Sequence, residues 1–117
     1  MTWLYVSAAL MAATAATHSI LGERRLIGPM LSARSGVLRR DFARTIIRYA
    51  WHVTSVLMVA SAITILWPAT PRALVQIIGA IWLALGMTSL VVSRGKHVGW
   101  PVLSLAGIAA LIGGSPS

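Results

Sequence analysis

An all-α membrane protein is the fold this sequence predicts: an antiparallel bundle of four transmembrane helices, with an interfacial amphipathic helical segment between the first and second. Three observations predict it. The chain is 57% hydrophobic and only 10% charged, against roughly 25% charged in soluble domains. Its apolar residues fall into four runs of about the length that crosses a hydrocarbon core. Ten Lys+Arg stand against two acids, and nearly all of this charge lies between or beside the runs at one end. Residues 1–117 leave room for a single integral membrane domain.

The first run covers residues 3–21. Ala13-Thr14-Ala15 looks like the small-residue cleavage site of a secretory signal, but no basic segment precedes the apolar stretch, so a retained helix is expected. Residues 22–45 form a basic loop. Within it Leu26, Ile27, Met30 and Leu31 repeat at helical spacing, as do Leu38 and Phe42. One or two short helices in the headgroup plane would bury these residues and keep the arginines wet. Ser35-Gly36 divides the stretch, and Gly22 offers a break that turns Glu23 back toward the membrane. Asp41 can pair with Arg44 or Thr45 within a helix, a contact worth little.

The second run, 46–67, stops at Pro68, and the third, 73–93, follows the short turn to Arg72. The fourth, 98–113, carries Pro101 in its first turn, where proline is tolerated. Such short connections make sequential neighbours adjacent and antiparallel. In lipid the backbone must satisfy itself, which selects helices. Close packing is expected from small residues: Ala8, Ala12, Ala15 and Ala16 in the first helix, Gly79 and Gly86 in the third, and Ala106, Ala110 and Gly114 in the fourth.

Charge sets the orientation. Arg24, Arg25, Arg34, Arg39, Arg40, Arg44 and Arg48 lie in or beside the first connection, and Arg94 and Lys96 lie in the third. Only Arg72 lies opposite. The positive-inside rule then puts both basic loops in the cytoplasm and both termini outside a membrane of bacterial inner-membrane type. Aromatic residues agree, with Trp3, Tyr5 and Trp67 at the outer boundary and Tyr49, Trp51 and Trp100 at the inner one. Trp82 falls in mid-span, where packing is its role.

A depth argument singles out three histidines. His18 is fifteen positions from Trp3 and His52 is fifteen from Trp67. Each therefore lies roughly 22 Å inward of the outer belt. His97 precedes Trp100 at the same inner level, and Glu23 follows His18 by five positions. His18, His52, His97 and Glu23 form a sensible ligand set for a divalent transition metal such as Zn²⁺, Fe²⁺, Mn²⁺ or Cu²⁺, with haem as the alternative cofactor. The competing reading makes them amphipathic residues at the headgroup boundary. Arg44, Arg48, His52 and Ser55 share a stripe of the second helix. With Arg39 and Arg40, these arginines are candidates for a lipid headgroup or phosphate, or they form a snorkelling ladder.

In size and four-helix plan the chain resembles the small multidrug-resistance transporters, whose proton-coupled export depends on a membrane-embedded glutamate in the first helix. Here that helix has none, Glu23 lying at its cytoplasmic end, so no residues carry over. The absence of cysteine excludes disulfides, thiolate metal sites and Cys nucleophiles. There is no GxSxG. The basic balance points to the lipid bilayer and its anionic headgroups rather than to nucleic acid. Three classes stay open: an accessory bundle acting through lipid or through homo- or hetero-oligomeric partners, an interfacial enzyme or cofactor protein, and a small transporter.

Overall fold

The computed structural model describes residues 2–116; residues 1 and 117, included in the single domain expected, lie outside them. Its helices are α1 (Thr2–Gly22), α2 (Gly28–Ser32), α3 (Asp41–Leu66), α4 (Arg72–Ser93) and α5 (Gly99–Gly113). A π-helical turn, Glu23–Ile27, joins α1 to α2, so Thr2–Ser32 runs on as one helix of 31 residues. Four helical rods result. Three of them, Thr2–Ser32, Asp41–Leu66 and Arg72–Ser93, are long and apolar enough to cross a membrane. Gly99–Gly113 is apolar but has only 15 residues.

The basic loop differs most from its expected form. The sequence pattern breaks the chain at Gly22 and lays short helices in the headgroup plane. Instead Gly22 is helical (φ −60°, ψ −46°), and the first rod extends to about 46 Å. Its irregularity originates at Pro29. Proline has no N–H for the carbonyl four residues back, and its ring pushes that carbonyl away. A helix meets this by widening for one turn, and here the Gly28 N–H closes the wide turn onto the Glu23 carbonyl. The true break falls at Arg34 and Gly36, both at positive φ, beside the expected Ser35-Gly36 division. A single 3₁₀ turn, Gly36–Arg39, then leads into α3. That helix starts at Asp41, earlier than the expected residue 46, with its carboxylate in the first turn where the helix dipole favours it.

Packing also departs from a ring of sequential neighbours. α1 lies between α3 and α5, α5 packs along α4, and α3 meets α4 only sparingly despite the short turn that joins them. The molecule measures 54 × 31 × 19 Å. It is an open layer with α3 and α4 at its rims. Small residues on α5 explain this order. A Cβ on Gly107 would come within 2.7 Å of the Gly79 carbonyl oxygen and 2.8 Å of Leu83 Cα, so the two backbones touch only because none is there. On its other side α5 receives α1: the buried Ser7 hydroxyl donates to the Ala106 carbonyl at 2.7 Å.

The core joins Ala8, Met11, Ala62, Ile65, Val75, Trp82, Ala106 and Ala110. Gly79, Gly86, Ala106, Ala110 and Gly114 are buried as their spacing predicts, and so is Trp82. On α1 the buried residues are Ser7, Ala8, Met11 and Ala15. Ala12 and Ala16, expected on the same face, are exposed. Steps of four and three keep one face in register with α5, whereas Ala12 and Ala16 lie off it.

Candidate functional site

The polar residues of the basic end converge on the contact between α1 and α3. On α3, Arg48, His52 and Ser55 follow at steps of four and three and so share one face. On α1, His18 and Ser19 occupy the last turns before the π-helical segment, and Glu23 opens it. Because Gly22 stays helical, Glu23 points along the rod toward α3. Its Oε1 lies 2.8 Å from Arg48 Nε, and its Oε2 lies 3.1 Å from His52 Nε2.

The chain continues inward. His52 Nδ1 is 2.9 Å from Ser19 Oγ, which in turn lies 2.6 Å from Ser55 Oγ. A connected path thus runs Arg48–Glu23–His52–Ser19–Ser55, from half-exposed groups to the buried Ser55. A carboxylate can only accept, so Nε2 of a neutral His52 carries the proton and Nδ1 is left as the acceptor facing Ser19. The guanidinium balances the carboxylate charge, and a pair this exposed contributes about 1 kcal/mol at most.

His18 has a different partner. Its imidazole stacks on Trp51, with ring centroids 4.1 Å apart and planes within 10°. The indole Nε1–H donates to the His18 carbonyl at 2.9 Å. Gly22 makes room for this: a Cβ there would stand 2.6 Å from Trp51 Cζ2. The His18 Nε2 atom is buried and has no hydrogen-bond partner. His97 sits in the turn between α4 and α5, where its Nδ1 lies 3.2 Å from the Ser89 hydroxyl and accepts from the Gly99 amide.

The metal centre expected from His18, His52, His97 and Glu23 is therefore not assembled. Among the described residues, no group of three or more His, Asp or Glu side chains is placed to hold a metal ion. Equal depth brings His52 and Glu23 together, but both carboxylate oxygens are taken and Arg48 places a positive charge where a cation would go. The ring of His18 is held against Trp51, and His97 stays with its own turn.

The four candidate arginines divide in two. Arg39 and Arg40 are exposed. Arg44 Nη1 donates to the Leu38 and Arg39 carbonyls and Nη2 pairs with Asp41, so this side chain fastens the 3₁₀ turn to α3. Arg48 belongs to Glu23. Arg44 and Arg48 also line a cleft of about 260 Å³ with Leu31, Ser32 and Arg34. At the far end a cavity of about 340 Å³ gathers Tyr5, Trp67 and Arg72 with Gly113 and Gly114.

Ser19, Trp51 and Arg34 are site residues that sequence reasoning misses. For Ser19 and Trp51 a signal existed in their places one residue from His18 and His52, but depth alone says nothing about rotation around the helix axis. In comparisons with family models, curated proteins and solved structures, nothing matches the chain.

Proposed function

We propose that this chain is an integral membrane protein of bacterial inner-membrane type, with both termini outside and four antiparallel spans. In this reading it is an accessory bundle whose basic cytoplasmic end gathers anionic lipid headgroups through Arg39, Arg40, Arg44 and Arg48. The observation that carries it is the separation of surfaces. Val56, Leu57, Val59 and Ile63 on α3, and Ile77, Ile81 and Leu85 on α4, are exposed large apolar residues, which water would penalise and lipid would not. Nine of the ten basic residues lie in or beside the two loops at one end. The unpartnered rims of α3 and α4 fit lipid, a second copy or another membrane protein.

Lipid retention tests the reading. Protein purified from mixed-lipid nanodiscs should retain phosphatidylglycerol over phosphatidylcholine. Replacing Arg39 and Arg40 with Gln should reduce that excess, most clearly at low salt. Equal retention of both lipids by the native chain rejects it.

A second reading, an interfacial enzyme, is favoured by Glu23, His52 and Ser19 alone. A carboxylate that fixes an imidazole against a hydroxyl is the order required for general-base activation. His52 would take the Ser19 proton as Oγ attacks a lipid acyl ester, then return it to the departing alcohol; water would hydrolyse the acyl-serine. A fluorophosphonate probe should label Ser19 in the native chain and not in His52→Ala. An unlabelled native protein rejects this chemistry.

A further inference from the structure

We infer that the cleft between the end of the first rod and α3 is a binding site for a phosphomonoester group, which Arg34, Arg44 and Arg48 would surround. The inference rests on the reading that this end lies at a lipid surface, and it deepens that reading by naming one site and one headgroup chemistry.

The composition of the walls comes first. Three of the five lining residues are arginine, none is acidic, and the volume is about 260 Å³. Arg44 and Arg48 stand one turn apart on α3, while Arg34 comes from the opposite wall, where positive φ ends the first rod. Three guanidinium groups from two directions suit a tetrahedral anion with several oxygens better than a planar carboxylate, which a single fork satisfies.

Pre-organisation comes second. Arg44 is held by Asp41 and by the Leu38 and Arg39 carbonyls, and its side chain is only 15% exposed. Glu23 holds Arg48 through Nε, leaving both Nη groups without a protein partner among the described residues. Arg34 has no side-chain partner among them either. Two of the cations are thus fixed in place before any ligand arrives, and one is free to close on it, which lowers the ordering cost of binding. A phosphomonoester carries about −1.5 to −2 charge at neutral pH and three free oxygens. A phosphodiester offers one charge and two such oxygens, so the cleft should discriminate between them.

The test uses the full chain in nanodiscs containing phosphatidate or phosphatidylglycerol, with inorganic phosphate as a separate probe and native mass spectrometry as readout. The native protein should retain phosphatidate over phosphatidylglycerol. Arg34→Gln should lower phosphatidate retention about tenfold, the loss of one charge-assisted contact. It breaks no pair in the fold, so it is the decisive variant; Arg48→Gln should act in the same direction. Arg39→Gln with Arg40→Gln should weaken both lipids alike, which separates the general basic face from the cleft. Phosphatidate that resists displacement by inorganic phosphate identifies a lipid as the source. Displacement with the same Arg34 dependence identifies soluble phosphate compounds instead and keeps the site. Equal retention of the two anionic lipids, or an Arg34→Gln protein that behaves as native, overturns the cleft. If Arg39 and Arg40 still matter then, the wider lipid reading survives it.

Discussion

Trp51 ties the end of the first rod to α3. It covers Gly22, stacks on His18 and donates to the His18 carbonyl, so one indole fixes the distance between α1 and α3. Gly22→Ala should displace it, at a cost of about 1–3 kcal/mol typical of an overfilled contact. A change in near-ultraviolet circular dichroism together with a lower melting point in detergent would register this. His18 supplies the opposite case. A buried nitrogen without a partner costs about 1–3 kcal/mol, and phenylalanine keeps the stack without the nitrogen. His18→Phe should therefore raise stability by a comparable amount in chemical denaturation. A destabilised variant would mean that something holds Nε2 after all. Sequence made the depth of His18, His52 and Glu23 legible because rise per residue is nearly constant. It hid their azimuth. Trp51 reads as a belt aromatic, and only its proximity to Gly22 reveals its place in the contact.

Among the elements, the first rod was the least legible. Four helical segments were readable from apolar run length, and the described bounds of α4 and α5 lie within one residue of the expected 73–93 and 98–113 at either end. Gly22 misled because glycine breaks helices in isolation, whereas here it makes room for an indole, and Pro29 is absorbed by a π-helical turn. That turn sets the rotation of everything beyond it, including Leu31 and Arg34. Pro29→Ala restores an N–H and should let the turn relax toward ordinary α geometry, swinging Arg34 away from α3. Since the chain has no cysteine, spin labels at Ser35 and Thr45 can follow this by electron–electron distance measurement, and an unchanged distance would refute it. At the contact between α4 and α5, Gly107→Ala should cost about 1–3 kcal/mol, because the obstacle is backbone and cannot rotate aside. Thermal melts against Leu105→Ala, an exposed position on the same helix, would isolate the effect.

For the whole molecule, the charge distribution gives the clearest expectation. Ser35 lies in the basic connection, so Ser35→Cys should resist an impermeant thiol reagent in intact cells and react in inverted vesicles. Labelling from outside would reverse the proposed orientation. Composition supplies this expectation, but it does not supply the order of the helices in the layer. Short connections make neighbours plausible partners, yet the bare backbones of Gly79 and Gly107 and the Ser7 bond to Ala106 decide who packs on whom.

The shortness of α5 has a consequence for the membrane itself. Fifteen residues rise about 22 Å, against roughly 30 Å of hydrocarbon, while the rod beside it is twice that length. Were α5 to span as proposed, the leaflet next to it would pinch inward, or water would enter a notch beneath the turn that carries His97. Either way a chain inserted as proposed would dent its host, and thin, easily deformed membranes would accept it at less elastic strain than thick, sterol-stiffened ones.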